Sequence, residues 1–247
     1  MSKLNLDSKV PSAYNRASFA DIIRSICNQL NPLSEGRLAA RYGAMTAYPT
    51  AGSWALGDIV WNSQPTAGSP LGWVCVSSGS PGTFEQFGGM PVLGTEVATT
   101  SGTSIDFTGI PSWVKKIVIQ FVGVSTTGSS PPIVQLGDSG GIETTGYTSA
   151  GLLHTGAAGG VTTSTAGFLI RSDNAAYAVH GALVLSLQDG SDNTWTAAGV
   201  LANTETTALL LVTGGSKALS AVLDRVRITT AGGTDTFDAG AINILYE

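Results

Sequence analysis

The run from residue 112 to residue 124, SWVKKIVIQFVGV, constrains the fold of this chain more than any other stretch. Its centre is almost entirely apolar and mostly β-branched, a composition typical of β-strands. Alternate side chains would face opposite sides of a sheet: Ile117, Ile119 and Phe121 on one side, Val118, Gln120 and Val122 on the other. Because both sets are mainly apolar, both faces require cover. The pattern therefore predicts a central strand of a packed β-sandwich, with the C-terminal run AGAINILYE as its partner.

Further strand-like segments recur from about residue 93 onward, separated by Gly, Pro and polar residues at the pace of a sandwich. The stretch 138–165, rich in Gly and Thr, contributes none of these predicted strands. Three short segments at 57–62, 72–76 and 82–87 predict a small meander. The aromatic residues expected to hold it are Trp54, Trp61, Trp73, Phe84 and Phe87. The chain is thus predicted to be mainly β: a short N-terminal helix, a small β-meander and a C-terminal antiparallel β-sandwich of jelly-roll type.

One good helix is predicted, from Ser18 to Leu30, with a capping-box pattern at its start and Asn-Pro after its end. Five large apolar side chains recur at helical spacing on one face: Phe19, Ile22, Ile23, Ile26 and Leu30. A helix of this length is marginal alone in water, so this face requires a partner. The partner is either the chain's own sheet or the same helix of sister chains in a parallel bundle. The loop-like neighbouring sequence favours the bundle, which makes these five residues a candidate trimer interface.

Charge is scarce and unevenly placed along the chain. Only 12% of residues are charged while 43% are hydrophobic, which favours a surface partly hidden in an assembly. The first 41 residues hold six basic and three acidic residues, whereas the remainder carries a net charge of −8. No basic cluster is dense enough to indicate nucleic-acid binding. No apolar run approaches the roughly 20 residues of a membrane span, so membrane insertion is not expected.

The two cysteines, Cys27 and Cys75, lie in apolar surroundings in a helical and a strand pattern respectively. We expect both to be buried free thiols, which suits synthesis in a reducing cytoplasm. Neither has a Cys or His neighbour at zinc-ligand spacing, and the histidines His154 and His180 show no such spacing either. No metal or other cofactor is predicted from these residues.

Residues 137–141 spell GDSGG, the nucleophile motif of trypsin-like serine proteases. That chemistry needs a His to take the Ser proton and an Asp to orient the His. In that family the His precedes the Ser, whereas His154 and His180 both follow Ser139. We interpret the motif as a tight turn after a strand, in which Gly supplies a positive φ.

A second acidic turn, residues 189–193 with the sequence DGSDN, offers oxygen atoms to a cation. It lacks the ligand spacing and the distal Glu of an EF-hand loop. A solvated β-turn is the favoured interpretation, and a bound calcium ion is the alternative.

Three stretches resemble bacteriophage tail fibre and tailspike proteins. Residues 57–84, GDIVWNSQPTAGSPLGWVCVSSGSPGTF, resemble a module in which V-W-N is followed by G-W-V-C and then by G-x-P-G-T-aromatic. Residues 105–147 and the ending LDRVRITTAGGTDTFDAGAINILYE resemble a C-terminal domain of phage and prophage tail fibres. The resemblance implies elongated homotrimers whose C-terminal β domains face the host. This chain departs from long fibres because it has no repetitive shaft between residues 88 and 95.

The resemblance implies a non-enzymatic virion protein assembled in a bacterial cytoplasm. Residues 1–43 would be an anchor that trimerises the chain and contacts other virion proteins, residues 44–92 an adaptor, and residues 93–247 an outward receptor-binding domain. Two alternatives stay open. One is a capsid decoration, head fibre or tail connector without a receptor role. The other is a polysaccharide depolymerase, although the chain lacks the repeating coil that such tailspikes use.

A host surface polysaccharide is the ligand expected of a receptor-binding domain in this group. Sugar rings are commonly stacked on exposed aromatic side chains in loops. The candidate glycan contacts in or near loops are Tyr147, Tyr177 and Trp195. Burial in the core or in an interface is the favoured alternative for each of the three.

Overall fold

The computed structural model describes residues 42–66, 68–89, 91–156, 159–203 and 209–247, together with six helical positions between residues 19 and 27. The chain divides into two compact units, Met1–Met90 and Pro91–Glu247, here called the N-terminal and C-terminal units. Positions 19, 21, 23, 24, 26 and 27 of the predicted helix are helical, whereas Ile22 and Leu30 lie outside the described residues. The described protein is mainly β and built from several sheets, as the sequence predicts.

A four-stranded sheet forms most of the described N-terminal unit. Its strands are β1 (Tyr42–Met45), β2 (Ile59–Asn62), β3 (Gly72–Ser77) and β4 (Thr83–Phe87), hydrogen-bonded in that order. The antiparallel strands β2, β3 and β4 are the predicted meander. Strand β1 is an addition that runs parallel to β2. Its sequence, YGAM, has no alternation of apolar and polar residues, so nothing in the pattern indicates a strand.

The core of this sheet is small. Trp54, Val60, Trp73 and Cys75 are buried, and the ring of Phe84 meets that of Trp54 edge-on at 5.2 Å between centroids. Trp61 was expected in this core, but it alternates to the opposite face, where it is 46% exposed. There its ring packs edge-on against that of Phe87 at 5.4 Å.

Fourteen strands build the described C-terminal unit. They are β5 (Val92–Leu93), β6 (Val97–Ala98), β7 (Ser104–Thr108), β8 (Lys116–Thr126), β9 (Pro132–Asp138), β10 (Gly141–Ile142), β11 (Thr148–His154), β12 (Gly159–Ser164), β13 (Phe168–Leu169), β14 (Val179–Asp189), β15 (Thr194–Asn203), β16 (Leu209–Ala218), β17 (Arg225–Thr230) and β18 (Phe237–Tyr246). All their described pairings are antiparallel.

These strands form two sheets over one core. The nine-stranded sheet runs β12-β11-β16-β15-β14-β8-β18-β5, with β6 also paired to β18, and the five-stranded sheet runs β10-β9-β17-β7, with β13 paired to β9. Buried side chains of both sheets belong to one cluster, such as Ile119 and Leu183 from the first and Val134 and Ile228 from the second. The shared cluster is the apolar layer that a sandwich requires between its two sheets.

Strand β8 lies inside the nine-stranded sheet, between β14 and β18. Ile244 of β18 faces Ile119 in the register, so the predicted pairing with the C-terminal run is confirmed. Ile117, Ile119 and Phe121 are buried, as predicted. The expectation that both faces of this strand are covered is wrong for the single chain, because Val122 on the other face is 61% exposed.

Candidate interaction surfaces

The apolar stripe of the N-terminal helix is partly exposed in the single chain. Phe19 and Ile23, one helical turn apart, are 48% and 43% exposed, and Ile26 is half-buried. Asp21 and Arg24 form an ion pair on the same helix, both with exposed side chains. The described part of the stripe is therefore not sealed beneath the chain's own sheets.

The two cysteines differ in their surroundings. Cys75 is buried in the small core, where its Sγ lies 3.2 Å from the carbonyl oxygen of Ser77. Cys27 is a free thiol that is exposed in the single chain, contrary to the expectation of burial. It follows Ile26 directly and so turns to a different part of the helix surface than the apolar stripe does.

The GDSGG segment forms the hairpin between β9 and β10. Asp138 faces Gly141 in the register, and Gly141 has φ of +130°, so the predicted turn with a positive-φ Gly is confirmed. The Asp138 carboxylate accepts the Gly140 N–H and the Ser220 hydroxyl, each at 2.7 Å. His154 and His180 lie on β11 and β14 of the other sheet, where His180 Nδ1 accepts the Gly123 N–H at 3.2 Å. Asp138 therefore stabilises the turn through these two hydrogen bonds.

A buried polar cluster adjoins this hairpin. Lys217 is 7% exposed and pairs with the Glu143 carboxylate, whose Oε1 accepts the Ser220 N–H at 2.7 Å. Burial raises the pKa of the Glu143 carboxyl, but the bonds from Lys217 and Ser220 outweigh it and hold the pKa below its ordinary value. The Ser220 hydroxyl, followed by the Gly140 N–H, lowers the pKa of Asp138 as well. Both carboxylates thus stay ionised and pin Ser220, in the β16–β17 connection, to the hairpin.

Sequence reasoning missed this cluster, although a signal was present. Inward positions of β16 alternate as Leu209, Leu211, Thr213, Gly215 and Lys217. A lysine at the end of such a series requires a buried anion, because a charge is rarely buried without a partner. The partner, Glu143, follows β10 far away in the sequence, and only the fold brings the two together.

Two of the three candidate glycan contacts are core residues. Tyr147 and Trp195 are each 2% exposed, and the Tyr147 ring meets that of Phe168 edge-on at 5.2 Å. Tyr177 is half-buried and packs against the same core. The favoured alternative of burial therefore describes Tyr147 and Trp195, and neither ring offers a face to a sugar.

The acidic turn at residues 189–193 joins β14 to β15. Asp189 Oδ1 accepts the N–H and the hydroxyl of Ser191 at 2.7 Å each, and these bonds lower the pKa of Asp189. Asp192 accepts the N–H of Thr194 at 3.0 Å. These bonds are typical of Asx turns, which stabilise a solvated hairpin loop. In the ranges that the structure describes, no cluster of three or more His, Cys, Asp or Glu side chains could hold a metal ion.

An open groove of about 410 Å³ lies between β5, β7 and β18. Its charged lining group, Asp106, is held by Arg227 through two bonds of 2.7 Å. Because this carboxylate is already paired, the groove has no ionic group left to orient a ligand. Within the same described ranges, no helix has the length and apolarity needed to cross a lipid bilayer.

The resemblance to tail fibre proteins rests on the sequence motifs at residues 57–84, 105–147 and 223–247. Comparison with protein-family models, curated proteins and solved structures finds no match for this chain.

Proposed function

We propose that this chain is a structural protein of a bacteriophage virion, a short homotrimeric tail fibre or spike without enzymatic activity. Its N-terminal segment would anchor it to other virion proteins, the four-stranded sheet would act as an adaptor, and the jelly-roll-like C-terminal unit would face the host. The observation that carries the proposal is the exposure of Phe19 and Ile23 on one helical stripe. Sister helices would cover these side chains in a parallel bundle.

Two further features support the proposal. The motif G-W-V-C lies on β3, where its Trp73 and Cys75 belong to the small core. The residues that carry the resemblance therefore help to hold the four-stranded sheet together. The C-terminal unit is a β-sandwich, the kind of domain that the resemblance implies at the outer end of a fibre. A host surface polysaccharide is the receptor class that this proposal implies, bound elsewhere than at Tyr147 or Trp195.

The helix interface is tested by Ile23→Glu in the full chain, with Arg24→Glu as the matched control. Light scattering of the unmodified protein should give three times the chain mass of 25.1 kDa. Ile23→Glu places a charge in the proposed bundle and should weaken assembly about a hundredfold, whereas Arg24→Glu changes an exposed ion pair and should leave the mass unchanged. A monomeric unmodified protein at micromolar concentration contradicts the proposal.

The location is tested by antibody labelling of particles that contain the chain. Label at the tail supports a fibre or spike, and label over the capsid instead supports a decoration protein. Incubation with host polysaccharide, followed by an assay for new reducing ends, tests the absence of hydrolase activity. New reducing ends would contradict the non-enzymatic assignment.

A further inference from the structure

Exposed aliphatic side chains are concentrated on one surface of the C-terminal unit, the outer face of the nine-stranded sheet. Seven large apolar side chains are exposed in the described part of this unit, and six of them lie on this face. The six are Leu93, Val122, Val161, Val200, Leu210 and Val212, from 40% to 67% exposed. The seventh, Val222, lies in the connection between β16 and β17 and is 52% exposed. Single exposed apolar residues are ordinary, but a contiguous group marks an interaction site.

The strand register makes these side chains contiguous. Val161, Leu152, Val212, Val200 and Ala182 are successive partners across β12, β11, β16, β15 and β14. The adjacent row continues with Ala198, Val184, Val118 and Leu245 across β15, β14, β8 and β18. Directly paired residues point to the same side of a sheet, so the two rows form one surface. We call this surface, with the outward residues of the same seven strands, the aliphatic face.

The aliphatic face differs from a solvent-facing sheet in its charge. Among its described residues there is no Asp, Glu, Lys or Arg between the Lys116–Glu247 ion pair at one end and the row of His154 and His180 at the other. The outer face of the five-stranded sheet, in contrast, carries the ion pair of Arg227 with Asp106. Solvated faces of antiparallel sheets are normally polar. The exposed part of the second sheet, where β7 pairs with β17, follows this rule, whereas β9 of that sheet is buried on both faces. The comparison within one molecule indicates that the aliphatic face is covered.

The area of the aliphatic face suits a stable protein interface. The two rows and the row of His154 and His180 make three rows of outward residues about 7 Å apart. Across seven strands at a spacing of about 4.8 Å, they cover roughly 700 Å². A specific interface buries about 800 Å² on each partner at its standard size and somewhat less at its lower limit. A partner sheet or domain is therefore of the right size to cover this surface, and a small ligand is not.

Composition and charge decide which partner fits. Between the Lys116–Glu247 ion pair and the row of His154 and His180, the described aliphatic face has only Val, Leu, Ala, Gly, Thr, Ser, Asn, Gln and His residues, without the aromatic rings that stack on sugars. Interfaces between permanently associated identical chains are likewise apolar and poor in charge, so they resemble a domain core. The C-terminal unit holds six basic and twelve acidic residues, so two copies repel each other, and an uncharged surface is where they can meet with the least like-charge repulsion.

We propose that the aliphatic face packs against other copies of this chain, so that the C-terminal units assemble through it. The inference rests on the proposed function only in taking identical chains as the partner. It adds an interface in the C-terminal unit that is separate from the helix.

Val200→Glu in the full chain tests the inference, because Val200 lies in the middle of the register rows. An unpaired carboxylate in a dry interface should raise the dissociation constant about a hundredfold or more, measured by sedimentation equilibrium. Val222→Glu is the matched control, since it adds the same charge at an exposed valine outside the aliphatic face. Equal effects of the two substitutions, or no effect of Val200→Glu, would overturn the inference.

Two further measurements separate this interface from folding and from the helix. A cysteine at position 200 or 222 changes little in volume, and Cys27→Ser removes the exposed thiol that would also react. In that background, a charged maleimide should label Val200→Cys at least tenfold more slowly than Val222→Cys in the assembled protein. Equal labelling rates would contradict the inference even if Val200→Glu does not fold. In another outcome, Ile23→Glu is the one variant that weakens assembly, while Val200→Glu assembles like the unmodified protein and Val200→Cys is labelled as fast as Val222→Cys. In that case the proposed fibre stands and the aliphatic face is not its interface.

Discussion

At the scale of single residues, the buried hydroxyl of Tyr147 ties β9 to the segment after the β9–β10 hairpin. It accepts the Leu136 N–H at 2.6 Å and donates to the Glu143 carbonyl at 3.0 Å. The Lys217 Nζ lies 5.5 Å from the centre of its ring. Burial raises the pKa of the Tyr147 phenol far above its ordinary value, so the hydroxyl keeps its proton and its donor role.

The first prediction concerns this hydroxyl. Tyr147→Phe keeps the ring but leaves a buried backbone N–H without its acceptor, which should cost about 1–3 kcal/mol of unfolding free energy. Urea denaturation of the C-terminal unit within the full chain measures the loss. Tyr48→Phe is the control, because Tyr48 is 57% exposed and its substitution should change the midpoint little. Equal midpoints for the unmodified protein and Tyr147→Phe would show that the hydroxyl contributes nothing.

At the scale of elements, the β9–β10 hairpin and the β16–β17 connection are joined by two ionised carboxylates. Asp138 and Glu143 both accept hydrogen bonds from Ser220, one from its hydroxyl and one from its backbone N–H. These bonds are stronger when the carboxylates are charged. The pKa of each carboxyl is lowered in the folded chain, so the folded state binds fewer protons than the unfolded state near pH 4.

The second prediction follows from this linkage. Stabilisation by these carboxylates is complete above their unfolded pKa values of about 3.9 and 4.3, and it is lost as the pH falls through the lower folded values. Ser220→Ala removes the hydroxyl bond to Asp138, so it should cost about 1 kcal/mol at pH 7 and flatten the pH dependence between about pH 5 and 3. Urea denaturation at a series of pH values measures both effects. Ser139→Ala, at the exposed tip of the same hairpin, is the control and should match the unmodified protein. If Ser220→Ala and the unmodified protein have the same pH profile of stability, the linkage is refuted.

At the scale of the whole molecule, the two units have separate cores of very different size. Four buried side chains, including Trp54 and Trp73, form the core of the N-terminal sheet, whereas the C-terminal core joins two sheets. Stability grows with the apolar area buried, so the N-terminal sheet should unfold at the lower temperature.

The third prediction tests this division by calorimetry. Trp54→Ala removes a ring that is 4% exposed and should lower the unfolding free energy of the N-terminal sheet by about 3 kcal/mol or more. The first transition then moves to a lower temperature, while the C-terminal transition stays in place. Trp61→Ala is the matched control, because this ring is 46% exposed and its loss should have a clearly smaller effect. One transition that shifts as a whole in Trp54→Ala would show that the units unfold together.

Local pattern alone predicted which side chains share a face. It grouped Ile119 with its buried neighbours in β8, placed Leu183 of β14 in the core and placed Phe19 and Ile23 on one helical stripe, but it wrongly expected cover on both faces of β8. In such segments the period of the apolar residues carries the information, because each side chain's direction follows from its position. Trp195 and Tyr147 show the limit, since a ring near a loop is exposed or buried according to what packs over it.

The sequence by itself determined a mainly β chain with a helical apolar stripe, a small aromatic-rich sheet and a larger sandwich. Only the tertiary structure decided that β11 and β12 exist, since their Gly- and Thr-rich segments lack alternation and are ordered through pairing with β16 and with each other. It also decided that Val122 and Val200 share one exposed surface. Strand order and register are long-range properties, so chain segments far apart in sequence acquire a common face only when the sheet assembles.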